Sequence, residues 1–121
     1  MSLHGAISGP LLKTAAENLT GKENHLVTLT STGAVELTDA DAEIPFGVVR
    51  WGAPQGGQAN IVPVNRGEQL KVRVSANVTA GAALELDTVN DGQLRPKNSG
   101  TARAVAEYGA SAGAIATVRW I

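Results

Sequence analysis

Three carboxylates at alternate positions, Asp39, Asp41 and Glu43, have the spacing with which a calcium loop opens. The glycine turn and the distal bidentate Glu that complete such a loop are missing, so a solvated acidic loop is expected instead. The two histidines, His4 and His25, have no further His or Cys at ligand spacing, which leaves no zinc site in the sequence. With no cysteine there is neither thiolate chemistry nor a disulfide framework. Gly52-Ala53-Pro54-Gln55-Gly56-Gly57 is glycine-rich, but it lacks the Lys-Ser/Thr of a phosphate loop and leads into an extended stretch rather than a helix N-terminus. No Gly-x-Ser-x-Gly elbow occurs. Catalysis needs titratable groups converging in a pocket; the expectation is therefore a protein that is not an enzyme, with no catalytic residue, no metal and no cofactor.

What the sequence offers instead is contact chemistry. The string Val-Arg-Trp occurs twice, as Val49-Arg50-Trp51 and Val118-Arg119-Trp120. Trp buries much area at low entropic cost and Arg stacks on it, so Arg50, Trp51, Arg119 and Trp120 are candidate partner-binding residues. The alternative is that both tryptophans cap the ends of the core. Lys71 and Arg73 lie on the polar side of an alternating stretch and read as solvated charges, with contact to an acidic partner as the alternative. The first twenty residues hold Leu3, Ile7, Leu11, Leu12 and Leu19, broken by Gly5, Gly9 and Pro10. Five large aliphatics are many for a floppy tail. Such a segment can add to the sheet edge of another chain, which makes Leu3, Ile7, Leu11 and Leu12 further partner-binding candidates.

These residues have to be positioned by short strands. Alternation runs through His25–Thr30, Ala34–Leu37, Phe46–Trp51, Ala59–Val64, Gln69–Val74, Ala83–Asp87, Gln93–Arg95, Ala102–Glu107 and Ala114–Trp120, with Gly, Asn, Pro and Ser turns between. This predicts an all-β fold, a small β-barrel or sandwich of eight or nine short strands at residues 21–121, preceded by an extended N-terminal arm at residues 1–20. A displacement of 57 residues, the separation of Val27 from Leu84, also aligns Leu29 with Leu86, Val48 with Val105, Trp51 with Tyr108 and Gly56 with Gly113. Seven of the 41 paired positions are identical, against roughly three from composition alone. The pattern suggests pseudo-repeats at about 24–64 and 81–121, joined through the Leu70–Val74 strand.

Composition narrows the partners. One hundred and twenty-one residues suffice for one core, and the 43% hydrophobic content includes 19 alanines, so that core is lean and association would help it. Ten basic and eleven acidic residues leave a net charge of −1 without like-charge runs. That argues against a nucleic-acid footprint and against a polybasic membrane patch. No apolar run approaches the roughly 20 residues a bilayer needs, and no basic-then-apolar leader opens the sequence.

Leu19-Thr20-Gly21-Lys22, His25-Leu26-Val27-Thr28-Leu29, Gly33-Ala34-Val35, Phe46-Gly47-Val48-Val49 and Ala53-Pro54-Gln55-Gly56-Gly57-Gln58-Ala59 resemble, in this order, the capsid cement (decoration) proteins of tailed bacteriophages. Val78 to Leu84, Asp91 to Leu94 and Ala112 to Val118 continue the pattern, so the resemblance covers residues 19–118. It departs at Ala104, where such proteins often have a glycine, and in the long apolar arm. The resemblance implies a virion structural protein on the outer capsid surface, made in the bacterial host cytoplasm. It further implies a homotrimer that bridges major capsid protein subunits and stabilises the mature shell, with no catalytic residues. A trimeric phage fibre or spike attachment domain is the alternative reading of the same barrel.

Overall fold

The computed structural model describes residues 11–121. Ten strands form: β1 Leu11–Thr14, β2 Leu26–Leu29, β3 Val35–Leu37, β4 Gly47–Trp51, β5 Gln58–Pro63, β6 Gln69–Arg73, β7 Ala83–Leu86, β8 Leu94–Pro96, β9 Ala104–Ala106 and β10 Ile115–Trp120. They pair antiparallel into two five-stranded sheets, β1-β5-β4-β2-β3 and β6-β10-β9-β7-β8, packed together as a β-sandwich rather than a closed barrel. The all-β expectation is met. Nine strands coincide with the alternating stretches, and the tenth, β1, comes from the segment expected to be an arm. Its Leu11 and Leu12 pair with Ile61 and Asn60 of β5. Ala15 and Leu19, just beyond it, are buried. Residues 1–10 lie outside the described residues.

The second sheet repeats the strand order of the first, with β6 in the place of β1 and β7 to β10 in the places of β2 to β5. At a displacement of 57 residues, β2 falls on β7 and β5 on β10, end to end. The Leu70–Val74 stretch, expected to join two four-stranded units, is thus the edge strand of the second sheet, as β1 is of the first. Gly56 and Gly113, 57 apart, both take the left-handed conformation that a turn into β5 or β10 requires, with φ of 86° and 84°. Each sheet also curls so that its two edges approach. Ala15 bridges Val35 in the first, and Val74 bridges Leu94 in the second.

Alternation normally gives a strand one buried face, but β2 and β4 are buried on both. Val27, Val49, Ala59 and Ile61 belong to a core within the first sheet. Leu26 and Val48, their immediate neighbours, belong to the core of the second sheet with Leu70, Val72, Leu84, Leu94, Val118 and Trp120. Backbone bonds tie the two sheets as well: Leu26 N donates to Gly92 O at 2.7 Å and Gly92 N donates to Thr38 O at 2.7 Å.

Candidate partner-binding surface

A β-bulge builds the most distinctive surface feature. Between β4 and β5 the register runs Val49 to Ile61 and then Trp51 to Asn60, which leaves Arg50 as the extra residue. Bulges turn a strand and redirect its side chains. Here Arg50 and Trp51 are both exposed, immediately after two buried valines. The Trp51 ring is 60% exposed. It lies against a cleft of about 350 Å³ where the first sheet meets β6, lined also by Asn24, Val48, Val62, Gln69, Leu70 and Lys71. Asn60 pairs with Trp51 on one side and with Leu12 on the other. Leu12 is exposed too, and Leu11 is half-buried. The Asn60 Oδ1 between them is buried and has no hydrogen-bond partner among the described residues.

The second Val-Arg-Trp string is placed differently. Trp120 is 9% exposed and packs in the core of the second sheet. Arg119 points outward, where it binds Glu107 at 2.9 Å and donates to Gly67 O at 2.8 Å. The Gln69 amide and Arg119 together hold the Glu107 carboxyl below its ordinary range. Of the candidate contact residues, Arg50 and Trp51 therefore share one surface with Leu12 nearby. Trp120 is interior, and Leu3 and Ile7 fall outside the described residues. A second, wider groove of about 640 Å³ is apolar, formed by Leu29, Ile44, Pro45, Phe46, Pro63 and Val64. Lys13 Nζ sits 5.5 Å from the centre of the Phe46 ring.

The carboxylates that the sequence makes look solvent-facing serve the architecture instead. Glu85 is fully buried, accepting from Asn98 N at 2.9 Å, Gly100 N at 2.6 Å and Arg95 Nε at 2.7 Å. The Asn98 amide outweighs burial, and with Arg95 and Gly100 it holds the carboxyl below the usual range. Burial alone would raise Asp87, but the Ser75 hydroxyl and the Asn90 and Val89 amides outweigh it and bring the carboxyl down to about 2. Asp41, expected in a solvated loop, accepts from Thr101 N at 2.9 Å and from the Thr101 hydroxyl at 3.2 Å, pinning that loop to the connection between β8 and β9. Glu43 accepts from Asp39 N at 2.7 Å and Ala40 N at 3.2 Å; burial, with Asp39 close by, nevertheless pushes its carboxyl up. Burial, opposed by a hydrogen bond with the Glu23 carbonyl and reinforced by the charges of Lys22 and Arg73, lowers His25. No group of three or more His, Cys, Asp or Glu side chains is placed to hold a metal among the described residues.

No family model and no curated protein sequence matches the chain. Among solved structures it is similar to the head fibre gp8.5 N base of bacteriophage phi29, with 17% identity and a TM-score of 0.73 over 93% of this chain and 92% of that one. At that identity the likeness is one of fold, and it extends over nearly the whole of both chains.

Proposed function

We propose that this protein is a structural component of a phage virion that works by contact rather than by catalysis, as a decoration protein on the outer surface of the mature head. The observation that carries this reading is the full-length fold likeness to a head fibre base, in a chain whose residues 19–118 independently resemble capsid cement proteins. In this reading it associates as a homotrimer and bridges major capsid protein subunits. Three modest contacts then act as one attachment through effective concentration. Binding only the mature lattice shifts the equilibrium against disassembly.

The description of that neighbour as a head fibre base favours a second reading, in which the same fold seats a fibre or spike on the head. Co-sedimentation with purified mature heads and with precursor shells, alongside light scattering of the free protein, tests the proposal. Binding to mature heads alone, by a species three times the 12.4 kDa chain mass, is the expected result. Absence from the head pellet overturns both readings, while binding that leaves shell robustness unchanged favours the fibre base. The role of the first residues is tested by removing residues 1–10 only, because Leu11 to Leu19 belong to the fold.

A further inference from the structure

A sheet edge exposes backbone donors and acceptors unless something covers them, and the four edges here are treated unequally. In β3 the outward groups are those of Val35 and Leu37. Val35 O accepts from Ala16 N at 2.8 Å and Leu37 N donates to Glu17 Oε2 at 2.8 Å. In β8 the outward positions are Leu94, whose carbonyl takes Ser75 N at 3.0 Å, and Pro96, which has no N–H to offer. Both edges are sealed. Along β6, even-numbered residues face β10, as the bonds of Glu68 and the register of Leu70 and Val72 require, so Gln69, Lys71 and Arg73 point outward.

Asn24 covers only the far end of that edge. It has the one left-handed non-glycine backbone among the described residues, φ 66°. From there its carbonyl accepts from Arg73 N at 2.9 Å and its side-chain amide donates to Lys71 O at 3.1 Å. It thereby acts as the first rung of an added strand. The next groups, Lys71 N and the Gln69 N–H and C=O, have no partner among the described residues, and they open into the cleft beside Trp51. The cleft has an apolar floor of Val48 and Val62 and a basic rim of Arg50 and Lys71; neither is in an ion pair among the described residues, and the Lys71 ammonium donates to the neutral Thr117 hydroxyl at 3.2 Å. No carboxylate lines it; Glu23, the nearest in sequence to Asn24, is engaged by Gly52 N at 3.0 Å.

We propose that the Trp51 cleft is a strand-addition site, in which an extended acidic segment of a partner polypeptide continues the sheet along β6 from Asn24. Backbone pairing with Lys71 and Gln69 supplies affinity, as in other strand-addition complexes. An apolar residue of the segment packs against Trp51, and acidic residues at the alternate positions face Arg50 and Lys71. The site goes beyond the virion reading, and its test needs no phage head.

The test is a titration of the ¹⁵N-labelled full chain with a synthetic peptide of alternating Val and Asp, followed by NMR. The expected result is saturable shifts at the Gln69 and Lys71 amides and the Trp51 indole, with slowed hydrogen exchange at Lys71 N. The same peptide with Lys in place of Asp should bind at least about tenfold more weakly, as should a version N-methylated at alternate residues. Trp51→Ala and Lys71→Glu, both surface changes, should each weaken the Asp peptide. Equal binding of the N-methylated peptide, shifts centred on Leu12 and Thr14 of β1 instead, or no saturable change at all would each overturn the assignment.

Discussion

Trp51 and Tyr108 hold the same place in their two sheets, 57 residues apart, Trp51 ending β4 and Tyr108 following β9, and both rings stand in solvent at 60% and 65% exposure. Trp120, which shares Trp51's tripeptide, instead aligns with Pro63 at this displacement and is interior. Trp51→Ala should therefore change unfolding stability by no more than about 0.5 kcal/mol. Trp120→Ala should cost about 3–5 kcal/mol through the cavity it leaves. Urea unfolding of the two variants beside the parent chain measures both.

Glu85 and Arg95 face each other across β7 and β8, joined at 2.7 Å with the carboxylate wholly out of water. Removing one partner of such a pair leaves an uncompensated buried charge or buried amides without acceptors. Glu85→Ala is expected to destabilise by about 3–5 kcal/mol, and Arg95→Ala by less, because the arginine is one-third exposed while Asn98 and Gly100 still hold the carboxylate. Thermal unfolding followed by circular dichroism ranks them.

Asp87 titrates near 2 when folded against 3.8 ordinarily. Its contribution, about 2 kcal/mol, is complete above pH 4 and is lost as the pH falls from about 4 to about 2, where the folded carboxyl also takes a proton. Glu85, likewise lowered, adds to the loss on the acid side. Asp87→Asn should flatten the dependence of the unfolding midpoint on pH across that window, and Ser75→Ala should flatten it in part. Unfolding curves recorded from pH 2 to pH 6 decide the point.

Gly52 lies so close to the first turn that a Cβ there would meet Leu19 O at 1.9 Å. Gly109 leaves a Cβ at 3.4 Å from Val78 O, an ordinary contact. Gly52→Ala should cost at least about 2 kcal/mol through overpacking against backbone, and Gly109→Ala should be close to neutral. Guanidinium midpoints compare them directly.

Period-two alternation was enough to locate nine strands, because stretches such as Gln69-Leu70-Lys71-Val72-Arg73 bury one face and wet the other. β1 escaped because Leu11-Leu12-Lys13-Thr14 places two leucines side by side behind Gly9 and Pro10, and it is an edge strand with Leu12 in solvent. The paired Val-Arg-Trp strings suggested equivalent tryptophans, but they lie 69 residues apart, from Trp51 to Trp120, whereas the sheets repeat at 57. Glu85 was hidden for a different reason. In Leu84-Glu85-Leu86-Asp87 the pattern assigns carboxylates to water, and only the cross-strand register with Arg95 reveals how one of them can be buried. The Trp51 cleft depends on the bulge at Arg50 and on the left-handed Asn24, neither of which alternation registers.

Because Leu26 and Val48 reach out of the first sheet to complete the core of the second, the two halves share their stabilising surface and neither is whole without the other. Pulling the two halves apart would strip each of these two side chains of roughly 1.5–3 kcal/mol of burial, and it would also open a void in the second half. On this packing the two halves should unfold in a single transition rather than in two.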